Sequence, residues 1–235
     1  MNKETEGQFG KVVWKLLEDK LFPMKSAAQL FNQYHDWDAS VDLPDANEIR
    51  KENLLNYLNS FPKKPSILIV GEAVGHWGCR FSGIPFTGEK QLCENSLPFS
   101  GRQSSISNPS IKIKQQPPYI SLSAKTFWKI LGVYHPYFFV WDCIPLHPHR
   151  TNEILSVRNP TTDEVLSFRS LLNEIICIIK PNNIISVGME AKKVLKELEV
   201  NFYPVRHPSH GGAKIFEADI KRFLLRRKLA PIDSK

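Results

Sequence analysis

The chain reads as an α/β protein: a three-layer α/β/α sandwich around a four-stranded parallel sheet, in one domain covering residues 1–235. Three observations predict this. Four short apolar runs rich in β-branched and aromatic residues, at 66–70, 137–141, 183–187 and 202–206, have the composition of buried strands. Stretches with helical spacing separate them, the alternation that yields parallel strands covered on both faces. Finally, two of the runs lead directly into short loops of unusual composition, Gly71-Glu72-Ala73-Val74-Gly75 and His207-Pro208-Ser209-His210-Gly211-Gly212. In an open parallel sheet, loops at the strand carboxyl ends meet in one crevice, where ligands bind.

The elements follow in order. Residues 8–34 and 46–60 are expected to be helical, because Val12, Val13, Leu16 and Leu17, and then Leu54, Leu55 and Leu58, keep helical spacing. Asp45 is the expected N-cap of the second helix. Phe61-Pro62-Lys63-Lys64-Pro65 separates these N-terminal helices (1–62) from the first strand. Residues 94–123 are Ser-rich and carry Pro98, Pro109, Pro117 and Pro118, so a long flexible insertion is expected there. Ser123 should lead a helix over 124–132, and further helices are expected over Thr162–Ile179, from Gly188 to Leu198, and over 214–229.

With 42% hydrophobic residues the chain can bury a substantial core. No apolar run reaches the ~18–20 residues of a membrane span. The start, Met1-Asn2-Lys3-Glu4-Thr5-Glu6, lacks an apolar signal core, so an intracellular, cytoplasmic, monomeric protein is expected. Cys79, Cys93, Cys143 and Cys177 form no CxxC pair, which argues against a zinc ribbon. The net charge of +7 suits a polyanionic partner such as nucleic acid. Arg102, Lys112, Lys114, Arg150 and the run Lys221–Lys228 are candidate phosphate contacts, although the last is read mostly as the solvated face of an amphipathic helix.

Five motifs occur in order between about residues 66 and 225. They are Gly71-Glu72-Ala73-Val74-Gly75, Gly83-Ile84-Pro85-Phe86, Arg158-Asn159-Pro160-Thr161-Thr162-Asp163-Glu164, Val187-Gly188-Met189-Glu190-Ala191 and His207-Pro208-Ser209. In this series the chain resembles the uracil-DNA glycosylase superfamily, closest in pattern to its family 4-like branch. The resemblance implies a monofunctional DNA glycosylase that hydrolyses the bond between a deaminated base, uracil first, and deoxyribose during base-excision repair. It also implies roles for individual residues. Phe86 would stack on the flipped base, and the backbone from Gly71 through Ala73 would contact it. His207 would hydrogen-bond the developing oxyanion, and Glu72 or a bound water would act on the attack side. Arg158, Ser209, His210 and Arg150 would contact DNA.

Three departures from the branch matter. The branch holds an iron–sulfur cluster on four cysteines, but here no cysteine precedes Cys79, and Leu146 and Phe168 stand at the later ligand positions. No cluster, and no other cofactor, is expected. Val74 replaces the motif proline, and Ala73 stands where other families carry a water-activating Asp. Asp142 stands where an asparagine usually reads the uracil edge. An ionised Asp142 would repel a base carbonyl and favour an amino group, a protonated one would mimic the amide, and a third reading has it facing water or Arg150. Asp142 and Ala73 leave open a catalytically weak member that only binds nucleic acid or a free base. The cluster of His76, His147, His149, His207 and His210 leaves open a metal-dependent hydrolase, against which the spacing counts.

Overall fold

In the computed structural model the described residues are 8–94, 96–111 and 115–232. Along the chain, α1 (Gln8–Lys20), β1 (Leu30–Phe31) and α2 (Ala46–Asn59) precede the first long strand, β2 (Ile67–Ala73). Then come α3 (Cys79–Ser82), α4 (Glu89–Cys93), α5 (Leu122–Leu131), β3 (Phe138–Ile144) and β4 (His147–Pro148). The last part holds α6 (Thr162–Ile179), β5 (Asn183–Val187), α7 (Met189–Glu197), β6 (Tyr203–Val205) and α8 (Ala213–Arg226).

β2, β3, β5 and β6 form a four-stranded sheet in the order β3-β2-β5-β6, and every pair is parallel. Helices flank it, as expected from the alternation. Ile67, Leu68, Ile69 and Val70 of β2 are all buried, because this central strand is covered on both faces. α1 packs on α2 and α6, α5 packs on α8, and α7 packs against β2, β3 and β5. The order matters for function. The chain leaves β2 for β3 on one side and later returns to β5 on the other, so the loops after β2 and β5 part at a switch point and open a crevice.

Several sequence expectations are corrected. The first helix ends at Lys20 rather than 34. Pro23 cannot continue it, and Leu30–Phe31 instead pairs antiparallel with His147–Pro148. This small ribbon brings the N-terminal segment under the crevice, where the Tyr34 hydroxyl donates to the Gly83 carbonyl at 2.7 Å. Asp45 precedes α2 but makes no side-chain cap. The cap of α5 is Ser121, not Ser123: its hydroxyl accepts from the Ala124 N–H at 3.3 Å. β2 and β3 run three residues further than expected, so Gly71, Glu72, Ala73 and Asp142 lie on strands and not in loops.

The described residues of the 94–121 segment form no helix or long strand, yet they are anchored. Glu89 is fully buried and accepts from the N–H groups of Ser104 at 2.6 Å and Ser105 at 3.0 Å, and from the Ser105 hydroxyl. Phe99 and Tyr119 are buried as well. Arg102 turns back to pair with Glu52. Lys112 and Lys114 lie outside the described residues.

Candidate active site

The crevice is a cavity of about 870 Å³ at the carboxyl ends of the strands. That falls within the range of small-molecule sites. Its lining includes Glu72, Ala73, Phe86, Asp142, His207, Ser209 and His210, so the residues singled out on separate motifs converge in one place.

Gly71 sets the floor. It pairs in register with Asp142 of β3. A Cβ at this position would overlap both the Asp142 carboxyl and the Phe86 ring, so only glycine permits their close approach. Phe86 adopts a φ of 51°, uncommon for a residue with a side chain. The turn that forces it is held by Ser82, whose hydroxyl donates to the Thr87 carbonyl at 2.7 Å. The Phe86 ring packs 4.8 Å from that of Phe127 and 5.7 Å from that of His207, and it remains half-buried at the cavity wall.

Glu72 spans the switch point. Its Oε1 accepts the N–H groups of Met189 at 2.6 Å and Glu190 at 3.1 Å, the open amides at the start of α7. Gly188, with φ of 96°, admits the carboxylate there: a Cβ on it would strike the Glu72 side chain. Glu72 is therefore first a helix cap, and the anion at a helix N-terminus is stabilised by the dipole.

His207 is fixed by its own loop. Its Nδ1 accepts from the Ser209 N–H at 3.1 Å and lies 2.6 Å from the Ser209 hydroxyl. A ring nitrogen that accepts a backbone N–H carries no proton, so in the neutral ring the proton sits on Nε2. Burial lowers the His207 pKa from its ordinary value, against the opposing pull of Glu72, which keeps the ring neutral near neutral pH. His210, exposed at φ of 50°, places Nδ1 3.0 Å from the same Ser209 hydroxyl.

Asp142 borders the cavity and does not meet Arg150. It is 2% exposed, and among the described residues its carboxyl has no hydrogen-bond or ion-pair partner. Burial, and then the neighbouring Glu72 charge, push its pKa up to about 7. Arg150 is exposed and points 3.5 Å from Glu153, away from the cavity lining.

Arg158 is also corrected. Its five N–H donors go to the carbonyls of His149 (3.0 Å), Asn159 (3.0 Å) and Gln29 (2.8 Å) and to both Glu164 oxygens (2.8 and 2.5 Å). An arginine has five such donors, so none is left for a phosphate. Glu164 in turn accepts the Thr161 N–H at 2.8 Å while Thr161 caps α6, a capping box. The Arg-x-Pro-Thr-x-x-Glu pattern is thus a fastening of the α6 start against the loop after β4.

The histidines do not form a metal cluster. Each ring nitrogen of His147 faces a backbone carbonyl, Val74 at 3.0 Å and Ile154 at 2.9 Å, and His149 Nδ1 faces the Arg150 backbone carbonyl at 2.8 Å. Among the described residues no three His, Cys, Asp or Glu side chains converge as a ligand set. His76 does line the cavity, where burial lowers its pKa to about 4. Cys79 and Cys143 are buried and Cys177 is exposed.

Reading the sequence missed further lining residues, Trp77 and Ser121 to Ala124 around the start of α5. Trp77 follows the first motif and stacks 6.3 Å from Phe81. In α8, Lys221 pairs with Glu217 at 2.6 Å and Arg222 with Asp219 at 3.1 Å, in keeping with a solvated face. No helix among the described residues is long and apolar enough to cross a membrane.

Comparison with known proteins agrees with this geometry. The chain shares its fold with the crystal structure of wild-type Pedobacter heparinus SMUG2, at a TM-score of 0.62 and 13% identity, with 94% of this chain and 97% of that chain covered. No curated protein matches it. The family model of the Uracil DNA glycosylase superfamily matches residues 58–224, which takes in the whole sheet and every cavity motif. The chain belongs to the Uracil DNA glycosylase superfamily.

Proposed function

We propose that the protein is a monofunctional DNA glycosylase that releases uracil from DNA and leaves an abasic site. The observation that carries this reading is the convergence of Phe86, packed against Gly71, and His207, with ring centroids 5.7 Å apart, in a cavity that admits an extruded base. In the reaction the bond from C1′ to the base nitrogen breaks and its electron pair leaves with the base. The oxygen of a water then bonds to C1′ and its proton passes to solvent, while the base anion takes up a proton from solvent. Negative charge grows on the departing base and positive charge on the sugar.

The roles follow from that charge flow. The neutral His207, with its proton on Nε2, donates to the base oxygen that gains charge. Phe86 stacks on the ring. Glu72, capping α7, lies close enough to act electrostatically on His207, and its negative field favours the cationic sugar. Ala73 offers no base for the water, so stabilising the leaving group is the main source of rate. Ser209 and His210, which line the cavity, would make the phosphate contacts, since the N–H donors of Arg158 are taken up within the protein.

The test is alkali-revealed strand cleavage of oligonucleotides carrying one uracil, hypoxanthine or xanthine, with and without a chelator. Uracil should be excised in the presence of the chelator. His207→Ala should lower single-turnover base release about 10²–10³-fold with DNA affinity nearly unchanged. Unaltered release by the variant would remove His207 from the mechanism, and chelator-sensitive release would favour a metal-dependent reaction.

A further inference from the structure

The floor of the cavity carries a feature that catalysis by His207 leaves unused. Asp142 is buried, borders the cavity, and among the described residues meets neither a cation nor a hydrogen-bond donor. Every group whose charge bears on it is neutral or negative. Glu72 on β2 is an anion fixed by the α7 amides. Cys79 on α3, Tyr34 after β1 and Cys143 beside it on β3 are kept uncharged by burial. His207, lining the same cavity, is kept neutral. A carboxylate in such a place has given up most of its water without gaining a protein partner, which disfavours the charged form. The same site suits a carboxylic acid, which is uncharged and can both donate and accept.

We propose that Asp142 acts as an uncharged carboxylic acid that selects bases presenting a ring N–H beside a carbonyl oxygen. This rests on the glycosylase reading. Against uracil, the acid carbonyl accepts from N3–H while the acid O–H donates to O4. Hypoxanthine presents the same pair through N1–H and O6. The proton is shared in these hydrogen bonds and is not transferred. The O–H also meets an oxygen that becomes more negative as the base departs, so it contributes more in the transition state than in the ground state. Ionisation reverses both effects: the carboxylate repels the carbonyl and opposes the charge on the leaving base. Excision therefore declines as pH rises through the titration of Asp142. Asparagine offers the same donor and acceptor without a titration.

The experiment is single-turnover release of uracil and of hypoxanthine from single-stranded oligonucleotides, by the wild type and Asp142→Asn, over about pH 5.5–9, a span that brackets normal and raised carboxyl values. The wild-type rate should fall up to about tenfold per pH unit on the alkaline side. Asp142→Asn should lack that limb, so the ratio of variant to wild type should climb roughly 10–100-fold over the last two units. A wild-type rate that rises with pH, or two parallel profiles, overturns the proposal.

An infrared pH titration of the wild type reads the acid without relying on catalysis or on a folded variant. The carbonyl stretch of a protonated carboxylic acid should be present at slightly acidic pH and vanish above neutrality. Its absence at slightly acidic pH also overturns the proposal. Failure of the glycosylase reading looks different: neither protein releases any base at any pH, which overturns the selecting role while the infrared band persists.

Discussion

At Gly71 one hydrogen atom in place of a methyl group lets the site exist. Asp142 and the Phe86 ring both occupy the space that a side chain would need. Gly71→Ala should therefore push the ring and carboxyl apart, costing about 1–3 kcal/mol of stability. Base release should fall more than stability does, as shown by melting temperature measured beside single-turnover rate. A variant with full activity would mean that the floor adapts freely. Gly71, Phe86 and His207 were legible in the sequence because each belongs to a short motif, the first and last of them beside a strand. The environment of Asp142 was not: its position was readable, but its lack of partners depends on Cys79, Tyr34 and Glu72 folding around it. Arg158 was misread for a related reason. A basic residue in a motif looks available until its five donors are traced to their acceptors.

At the scale of elements, the Glu72 carboxylate ties β2 to the start of α7. Glu72→Gln can keep accepting the two α7 amides through its carbonyl oxygen but removes the charge. Since that charge helps raise the Asp142 pKa, its loss should lower it, and the alkaline limb of the pH profile should move to lower pH by up to about one unit. A limb that stays in place would mean that burial alone sets Asp142. The start of α6 makes a contrasting case. Arg158→Ala should cost about 1–3 kcal/mol of stability, because carbonyls and the Glu164 carboxylate lose their partner. It should leave the salt dependence of DNA binding unchanged, whereas loss of a phosphate contact would reduce the slope by about 1. The bounds of α6 and β5 were readable from the sequence, because a capping box and an apolar run mark them locally. The end of α1 was missed because Leu30–Phe31 is a strand only by virtue of pairing with His147–Pro148, far along the chain.

For the whole molecule, the parallel order β3-β2-β5-β6 explains why motifs more than a hundred residues apart face one another. Alternation of strands and helices was enough to predict this sheet and the crevice at its carboxyl edge. It was not enough to predict the lining contributed around the start of α5, where the preceding segment is held by the buried Glu89. The net charge of +7 favours approach to a polyanion, yet several basic side chains named from sequence are paired internally. The specific event must then come from the cavity. The measurement that tests this most directly is chromatographic identification of the products from a uracil-containing oligonucleotide incubated with the wild-type protein. The expected result is free uracil in step with an unbroken strand bearing one abasic site. DNA that is bound in a salt-sensitive manner but yields no free base would contradict the account and leave a protein that only recognises nucleic acid.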